Sequence, residues 1–262
     1  MEFAVDGKAV FAATGGQPFD RSRPSIVFVH GAGMDHTVWA LQTRYFAYRG
    51  RNVLAIDLPG HGRSQGPPLG AIDEMADWLA RLLDAAGIDT AAIVGHSMGS
   101  LVALAAAVRH ATRISAVALL ATSVPMPVTP RLLAASQADD HSAFDMVSIW
   151  SHGRAAQIGG NRAPGLWMTG QALRLLERSG PGVLHGDLKA CHDFALEPTM
   201  AGGITCPVLL VLGERDAMTP PRGAADLGAA IPGAETVVLE GCGHMMMTER
   251  PDDVLDALTA IV

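Results

Sequence analysis

Residues 91–107 read Ala91-Ala-Ile-Val-Gly-His-Ser-Met-Gly-Ser-Leu-Val-Ala-Leu-Ala-Ala-Ala107. Three features lie end to end in this stretch. An apolar run through Ile93 and Val94 reads as a buried strand. Gly95-His-Ser-Met-Gly99 follows and fits the pattern G-x-S-x-G. An Ala/Leu-rich run of good helix formers comes next. Strand, pentapeptide and helix in that order predict a serine on a sharp turn, with its hydroxyl exposed and its backbone strained. Larger residues at 95 or 99 would collide with the neighbouring elements, so glycine fits both. The helix that starts after Ser97 aims its unpaired N–H groups at the same spot and favours negative charge there. The pentapeptide alone is equally compatible with a plain helix-capping serine, so the rest of the chain decides.

Outward from this stretch, apolar runs alternate with helical patterns. Ser25 to Val29, Asn52 to Ile56, Ile114 to Ala121, Cys206 to Leu212 and Thr236 to Leu239 read as strands. Two short strands around Asp6-Gly7 precede them as a hairpin. Helices are predicted over Val38 to Tyr48, Ile72 to Ala86, Pro221 to Ile231 and from Pro251 onward, with Asp35 or Thr37 capping the first and Gly87 stopping the second. Between Ser123 and Gly203 the pattern changes. Prolines 125, 127, 130, 164, 181 and 198 punctuate short helical pieces and no strand is evident. The expectation is an α/β core formed by residues 1–122 and 204–262, with a helical cap over 123–203. Alternating strands and helices imply right-handed crossovers and a mostly parallel sheet covered on both faces. Sites in such sheets form beyond the carboxyl ends of the strands. His30-Gly31, Asp57 to Ser64, Ser97, Asp216 and His244 all follow predicted strands.

Composition narrows the function classes. The chain has 262 residues, 49% hydrophobic and 17% charged, with a net charge of −7. That balance argues against nonspecific binding to nucleic acid or anionic membrane. The three cysteines, Cys191, Cys206 and Cys242, are odd in number and widely spaced, and read as reduced thiols of a cytoplasmic protein. The sequence begins without the basic and apolar regions of a secretory signal, and it contains no uninterrupted apolar stretch near 18 residues. No H-E-x-x-H pattern or phosphate-binding glycine loop appears, so neither metal nor cofactor is expected.

His30-Gly-Ala-Gly33, Asp57-Leu-Pro-Gly-His-Gly-Arg-Ser64, Gly95-His-Ser-Met-Gly99, Leu212-Gly-Glu-Arg-Asp216 and Gly243-His244 together resemble the α/β-hydrolase superfamily. The resemblance runs from about residue 25 to 262, apart from the cap. It implies an eight-stranded, mostly parallel sheet with helices on both faces, and a Ser…Asp…His triad in that chain order. Ser97 is then the nucleophile, and His244, between the last strand and last helix, its base. His61 is the strongest of the other nine histidines as a rival; His96 should point away from the hydroxyl and His30 brace a turn. The family's Gly-x-x-Asp spacing favours Asp216 over Glu214 as the acid that orients His244. The backbone N–H groups of Ala32 and Met98 are the implied oxyanion hole. Trp39, Met126, Trp150, Trp167 and Met245 are candidates to line the substrate site, with core packing the alternative for Trp39.

The activity this implies is hydrolysis of a small carboxylic ester or related acyl compound through an acyl-enzyme, without a cofactor. The fold hosts other reactions. A lactonase or C–C bond hydrolase would use the same residues. A cofactor-free lyase or perhydrolase, or a ligand receptor that does not turn over, stays open. The expected partner is a small molecule, acted on by a monomer or homodimer.

Overall fold

The structure is a computed structural model that describes residues 1–160 and 166–262. Pro164, one of the punctuating prolines, lies outside the described residues. In chain order the strands are β1 (Glu2–Val5), β2 (Lys8–Ala13), β3 (Ser25–Val29), β4 (Asn52–Ile56), β5 (Ala91–His96), β6 (Ile114–Leu120), β7 (Val208–Gly213) and β8 (Glu235–Leu239). The core helices are α1 (Ala40–Ala47), α2 (Ile72–Ala86) and α3 (Met98–Arg109). Residues 121–207 join β6 to β7 and carry α4 (Pro130–Gln137), α5 (Ser142–Trp150), α6 (Arg154–Gln157), α7 (Met168–Leu176), α8 (Val183–Asp193) and α9 (Pro198–Ala201). Helices α10 (Ala225–Ala230), α11 (Met246–Glu249) and α12 (Pro251–Thr259) complete the chain.

Among the described residues the eight strands form one sheet in the order β1-β2-β4-β3-β5-β6-β7-β8. β1 and β2 pair antiparallel, β2 and β4 antiparallel, and every later pair is parallel. The chain winds one way from β3 to β4, then crosses back to β5 and winds the other way. The switch point therefore lies between β3 and β5, where the two following loops diverge and leave a crevice.

The near-continuous apolar strands follow from burial on both faces. In β3, Val27 and Val29 enter one core layer with α2 and α3, while Ile26 and Phe28 enter the other with α1 and α12. In β5, Ile93 and Val94 divide in the same way. Period-2 alternation is thus present, with both of its faces apolar.

Element boundaries differ where local chemistry intervenes. The helix expected over 38–48 opens as a 3₁₀ turn, His36–Trp39, because the Asp35 carboxylate accepts the Thr37 N–H and caps it there. β7 begins at Val208 rather than Cys206, because Pro207 has no N–H to give the ladder; its carbonyl still accepts from Val117. The helix expected over 221–231 splits into a 3₁₀ turn, Pro221–Ala224, and α10. No helix among the described residues is long and apolar enough to cross a membrane.

Candidate active site

Ser97 stands between the end of β5 and the start of α3 with φ 53° and ψ −117°. A non-glycine residue at positive φ holds about 1–3 kcal/mol of strain, which the surroundings must stabilise. The fixing contacts are visible. The Ser97 N–H donates to the Leu120 carbonyl at 2.9 Å, and its own carbonyl accepts from Ser100 N and Ser100 Oγ at 2.8 and 2.6 Å. The two glycines of the pentapeptide meet their requirement from opposite sides. A Cβ on Gly95 would run into the Gly99 carbonyl, and one on Gly99 into the Val29 carbonyl of the central strand. Either contact is with backbone and cannot be relieved by a rotamer.

His244 lies in the loop between β8 and α11, and Asp216 in the loop after β7. Their side chains are buried and joined, His244 Nδ1 to Asp216 Oδ2, at 2.8 Å. Asp216 is held on four sides. Its Oδ1 accepts the Met218 and Thr219 N–H groups at 2.8 and 2.9 Å; its Oδ2 accepts the Thr219 hydroxyl at 2.7 Å as well as His244. Burial by itself would raise the Asp216 carboxyl. The charge and hydrogen bond of His244, with the Thr219 donors, outweigh burial and hold it below the usual carboxylate range. Glu214, the rival acid, instead accepts the Gly241 N–H at 2.8 Å. Thr219 is a participant the sequence reading missed. An Asp followed three residues later by Thr is the pattern of a local side-chain-to-backbone turn, and that signal was available.

Ser97, His244 and Ala32 all line one cavity of about 100 Å³. The rest of its wall comes largely from the segment between β6 and β7, including Met126, Leu132, Val147, Trp150, Leu184 and Leu188. No Asp, Glu, Lys or Arg side chain lines it among the described residues, and His244 supplies its imidazole. Of the expected lining residues, Met126 and Trp150 are there and three are not. Trp39 is wholly buried in the core, its ring 5.1 Å from that of Phe28. Met245 is also core, 3% exposed, with its N–H bound to the Ser151 carbonyl. Trp167 faces outward, 72% exposed.

The loop after β3 passes directly over Ser97: a Cβ on Gly31 would come within 3.3 Å of Ser97 Cβ. Met34 N donates to the Gly31 carbonyl at 3.2 Å and closes a tight turn, Gly31–Met34. The Ala32 N–H has no protein acceptor among the described residues. Met98 is the first residue of α3, where N–H groups have no partner within the helix.

The other histidines near the site brace it. His96 is buried beside the His244 ring, 4.8 Å between centroids, and its Nε2–H donates to the His244 carbonyl at 2.9 Å. Burial, and then the neighbouring His244, push His96 down to about 3, so its ring is neutral. His30 Nε2 accepts from Leu58 N at 3.2 Å, which requires a neutral ring; burial, helped by His61, lowers it to about 4. The Asp57-to-Ser64 loop is structural: Asp57 accepts N–H groups of His36 and Arg63 and the His36 ring, and Ser64 Oγ donates to the Asp57 carbonyl. Asp35, His36 and Asp57 lie close enough together to suggest a cation site. The Asp35 and Asp57 carboxylates are nevertheless already engaged by the caps and pairs just given. Glu249 is buried too and accepts N–H groups from Gly153 and Gly243, both at 3.1 Å, which fastens the β6–β7 segment to the loop that carries His244.

Comparison with known proteins agrees with this architecture. The model of a family described as the alpha/beta hydrolase family matches residues 26–257. A pimeloyl-acyl-carrier-protein methyl ester esterase of Chromobacterium violaceum is 31% identical over 246 residues, covering 90% of this chain and 92% of that protein. Its counterpart from Aromatoleum aromaticum is 29% identical over 248 residues, covering 88% and 95%. Among solved structures, the enol-lactonase of Burkholderia xenovorans superposes with a TM-score of 0.88 at 25% identity, covering 100% of this chain and 99% of that one. The chain belongs to the alpha/beta hydrolase family.

Proposed function

We propose that the protein is a serine esterase in which Ser97, His244 and Asp216 hydrolyse a neutral carboxylic ester with an apolar acyl group. The observation that carries this is the shared cavity. A serine on a strained strand-to-helix turn and an acid-backed imidazole border the same apolar space. With Nδ1–H donated to Asp216, the His244 Nε2 lone pair is available to take the Ser97 proton as Oγ attacks the ester carbonyl. The Ala32 and Met98 N–H groups hold the negative oxygen of the tetrahedral intermediate. The His244 proton then passes to the departing alcohol and leaves an acyl-Ser97. Water, deprotonated by His244, attacks that acyl group and releases the acid and free Ser97. A free carboxylate on the acyl group would be buried here without a partner, which is unfavourable and supports the neutral class. In this reading residues 123–203 act as a cap over the core of 1–122 and 204–262. The free thiols of Cys191, Cys206 and Cys242 are consistent with a cytoplasmic setting.

A second reading, lactone hydrolysis by the same steps, is favoured by the likeness to the enol-lactonase. Both readings share one test. Ser97→Ala should abolish turnover of p-nitrophenyl esters and simple lactones while the protein stays folded. Turnover within tenfold of wild type would refute both, and the ratio of the two substrate classes in the wild type chooses between them.

A further inference from the structure

The buried carboxylate of Asp187 has no part in the steps above. It lies on α8, in the β6–β7 segment, and is completely buried. Its Oδ2 accepts the Gly33 N–H at 2.8 Å and the His61 ring, through Nε2, at 2.8 Å. One oxygen of the segment therefore holds both the turn that presents Ala32 and the glycine-rich loop after β4. Leu184, one turn earlier on α8, packs against the same turn: a Cβ on Gly33 would stand 3.1 Å from Leu184 and 3.0 Å from Leu176 of α7.

The protons around His61 are fixed by its partners. Nδ1 faces the Pro59 carbonyl at 3.0 Å, and a carbonyl only accepts, so Nδ1 carries a proton. Nε2 faces the carboxylate oxygen that already accepts Gly33, so a second proton lies on that side. The arrangement is a doubly protonated ring against a carboxylate, with about 1% of either side chain exposed at most. The groups facing His61 are Asp187, Asp57 and the neutral His30, whose ring lies 4.9 Å away. Burial opposes the charged ring, and the charge and hydrogen bond of Asp187 overcome it, so His61 titrates above its ordinary value. Asp187 Oδ1 is buried with no partner among the described residues, an arrangement tolerable only while the paired ring stays charged.

We propose that Asp187 is a positioning residue: with His61 it clamps the Gly31–Met34 turn, so that the Ala32 N–H points at the oxyanion only when α8 is seated on the core. This rests on the serine-hydrolase reading and adds the claim that the segment which shapes the acyl cavity also assembles the oxyanion hole. An asparagine at 187 cannot replace the clamp. Its oxygen can accept from Gly33, but its amide then leaves His61 without a counter-charge.

The test is Asp187→Asn, with active sites counted by titration with a fluorophosphonate. On a neutral p-nitrophenyl ester, kcat per titrated site should fall by about 10- to 100-fold, as expected for a displaced rather than deleted donor. KM should change by less than about threefold. Affinity for a trifluoromethyl ketone, which also forms an oxyanion on serine, should fall in step with kcat. A merely structural role would lower the melting temperature and the number of titratable sites, and leave both per-site quantities alone. Per-site kcat and ketone affinity within twofold of wild type would overturn the proposal. Should Asp187→Asn fail to fold, the wild type decides: nitrogen NMR of labelled histidine must show His61 with both ring nitrogens protonated at pH 7, and a singly protonated ring overturns the clamp. An active Ser97→Ala would instead sink the underlying hydrolase reading, so the two failures are distinct.

Discussion

Replacing Asp216 by asparagine probes the site with almost no change in shape. The outcome follows from the hydrogen bonds around the side chain. Oδ1 accepts two backbone N–H groups, from Met218 and Thr219, so an oxygen must stay at that position. The new amide is therefore forced to the Oδ2 position, where it faces the Thr219 hydroxyl and His244 Nδ1. The hydroxyl can rotate to accept. His244 must move its proton from Nδ1 to Nε2, and the lone pair then lies on the nitrogen turned away from Ser97. The carboxylate that offsets the imidazolium is lost as well. For unit charges about 4 Å apart at an effective dielectric of about 20, that attraction is roughly 4 kcal/mol. Charge and tautomer together predict a fall in kcat of about 10³–10⁴. The assay is hydrolysis of p-nitrophenyl butyrate at saturating substrate, with folding checked by thermal melting; KM should hardly move. A variant that keeps kcat within tenfold of wild type would show that His244 does not depend on Asp216, and the assignment of the acid would be wrong.

Two further outcomes concern stability. Trp39→Ala removes a wholly buried core ring, so it should destabilise by about 3–5 kcal/mol, roughly 10 °C in melting temperature, with KM for short esters unchanged within about threefold. A large rise in KM without a loss of stability would return Trp39 to the substrate site. His30 and His96 are held neutral down to about 4 and 3, whereas an unfolded histidine takes up its proton near 6.5. Below about pH 6.5 the unfolded chain therefore binds more protons, and stability falls as pH falls. Each histidine contributes a slope of up to about 1.4 kcal/mol per pH unit down to its own folded value. Glu249 and His61 work in the opposite sense, since burial raises the Glu249 carboxyl and Asp187, against burial, raises His61, so that both contributions grow as pH falls and offset part of the loss from the neutral pair. Urea midpoints measured from pH 7 to 5 should drop, and a flat or rising profile would contradict the neutral pair.

The residues that were legible in the sequence are those whose requirement is local. Gly95 and Gly99 are dictated by backbone neighbours within a few residues or on the adjoining strand, and so mark the turn at Ser97. Strands β3 to β7 declare themselves because burial on both faces leaves continuous apolar runs. What was not legible depends on distant pairing. Nothing near His61 announces Asp187, 126 residues away, so His61 reads as a rival base until the carboxylate is seen beside it. Glu249 sits just beyond a run of methionines, and only the folded chain brings Gly153 to it. Trp39, Met245 and Trp167 failed as lining residues for a related reason. An apolar side chain near a loop can turn to cavity, core or solvent with equal local propensity, and the tertiary packing alone selects among them.

The segment from 121 to 207 leaves the sheet at β6 and returns at β7, and these strands are neighbours. Its two ends are thus pinned side by side whatever lies between them, and a foreign segment of different length could in principle be spliced there without disturbing the sheet. Connectivity places no limit on such an exchange. Chemistry does: a transplanted segment has to bring a carboxylate to Gly33 and His61, and a backbone N–H to Glu249. Chimeras built on this scaffold should be selected on those two points of attachment before any matching of cavity shape.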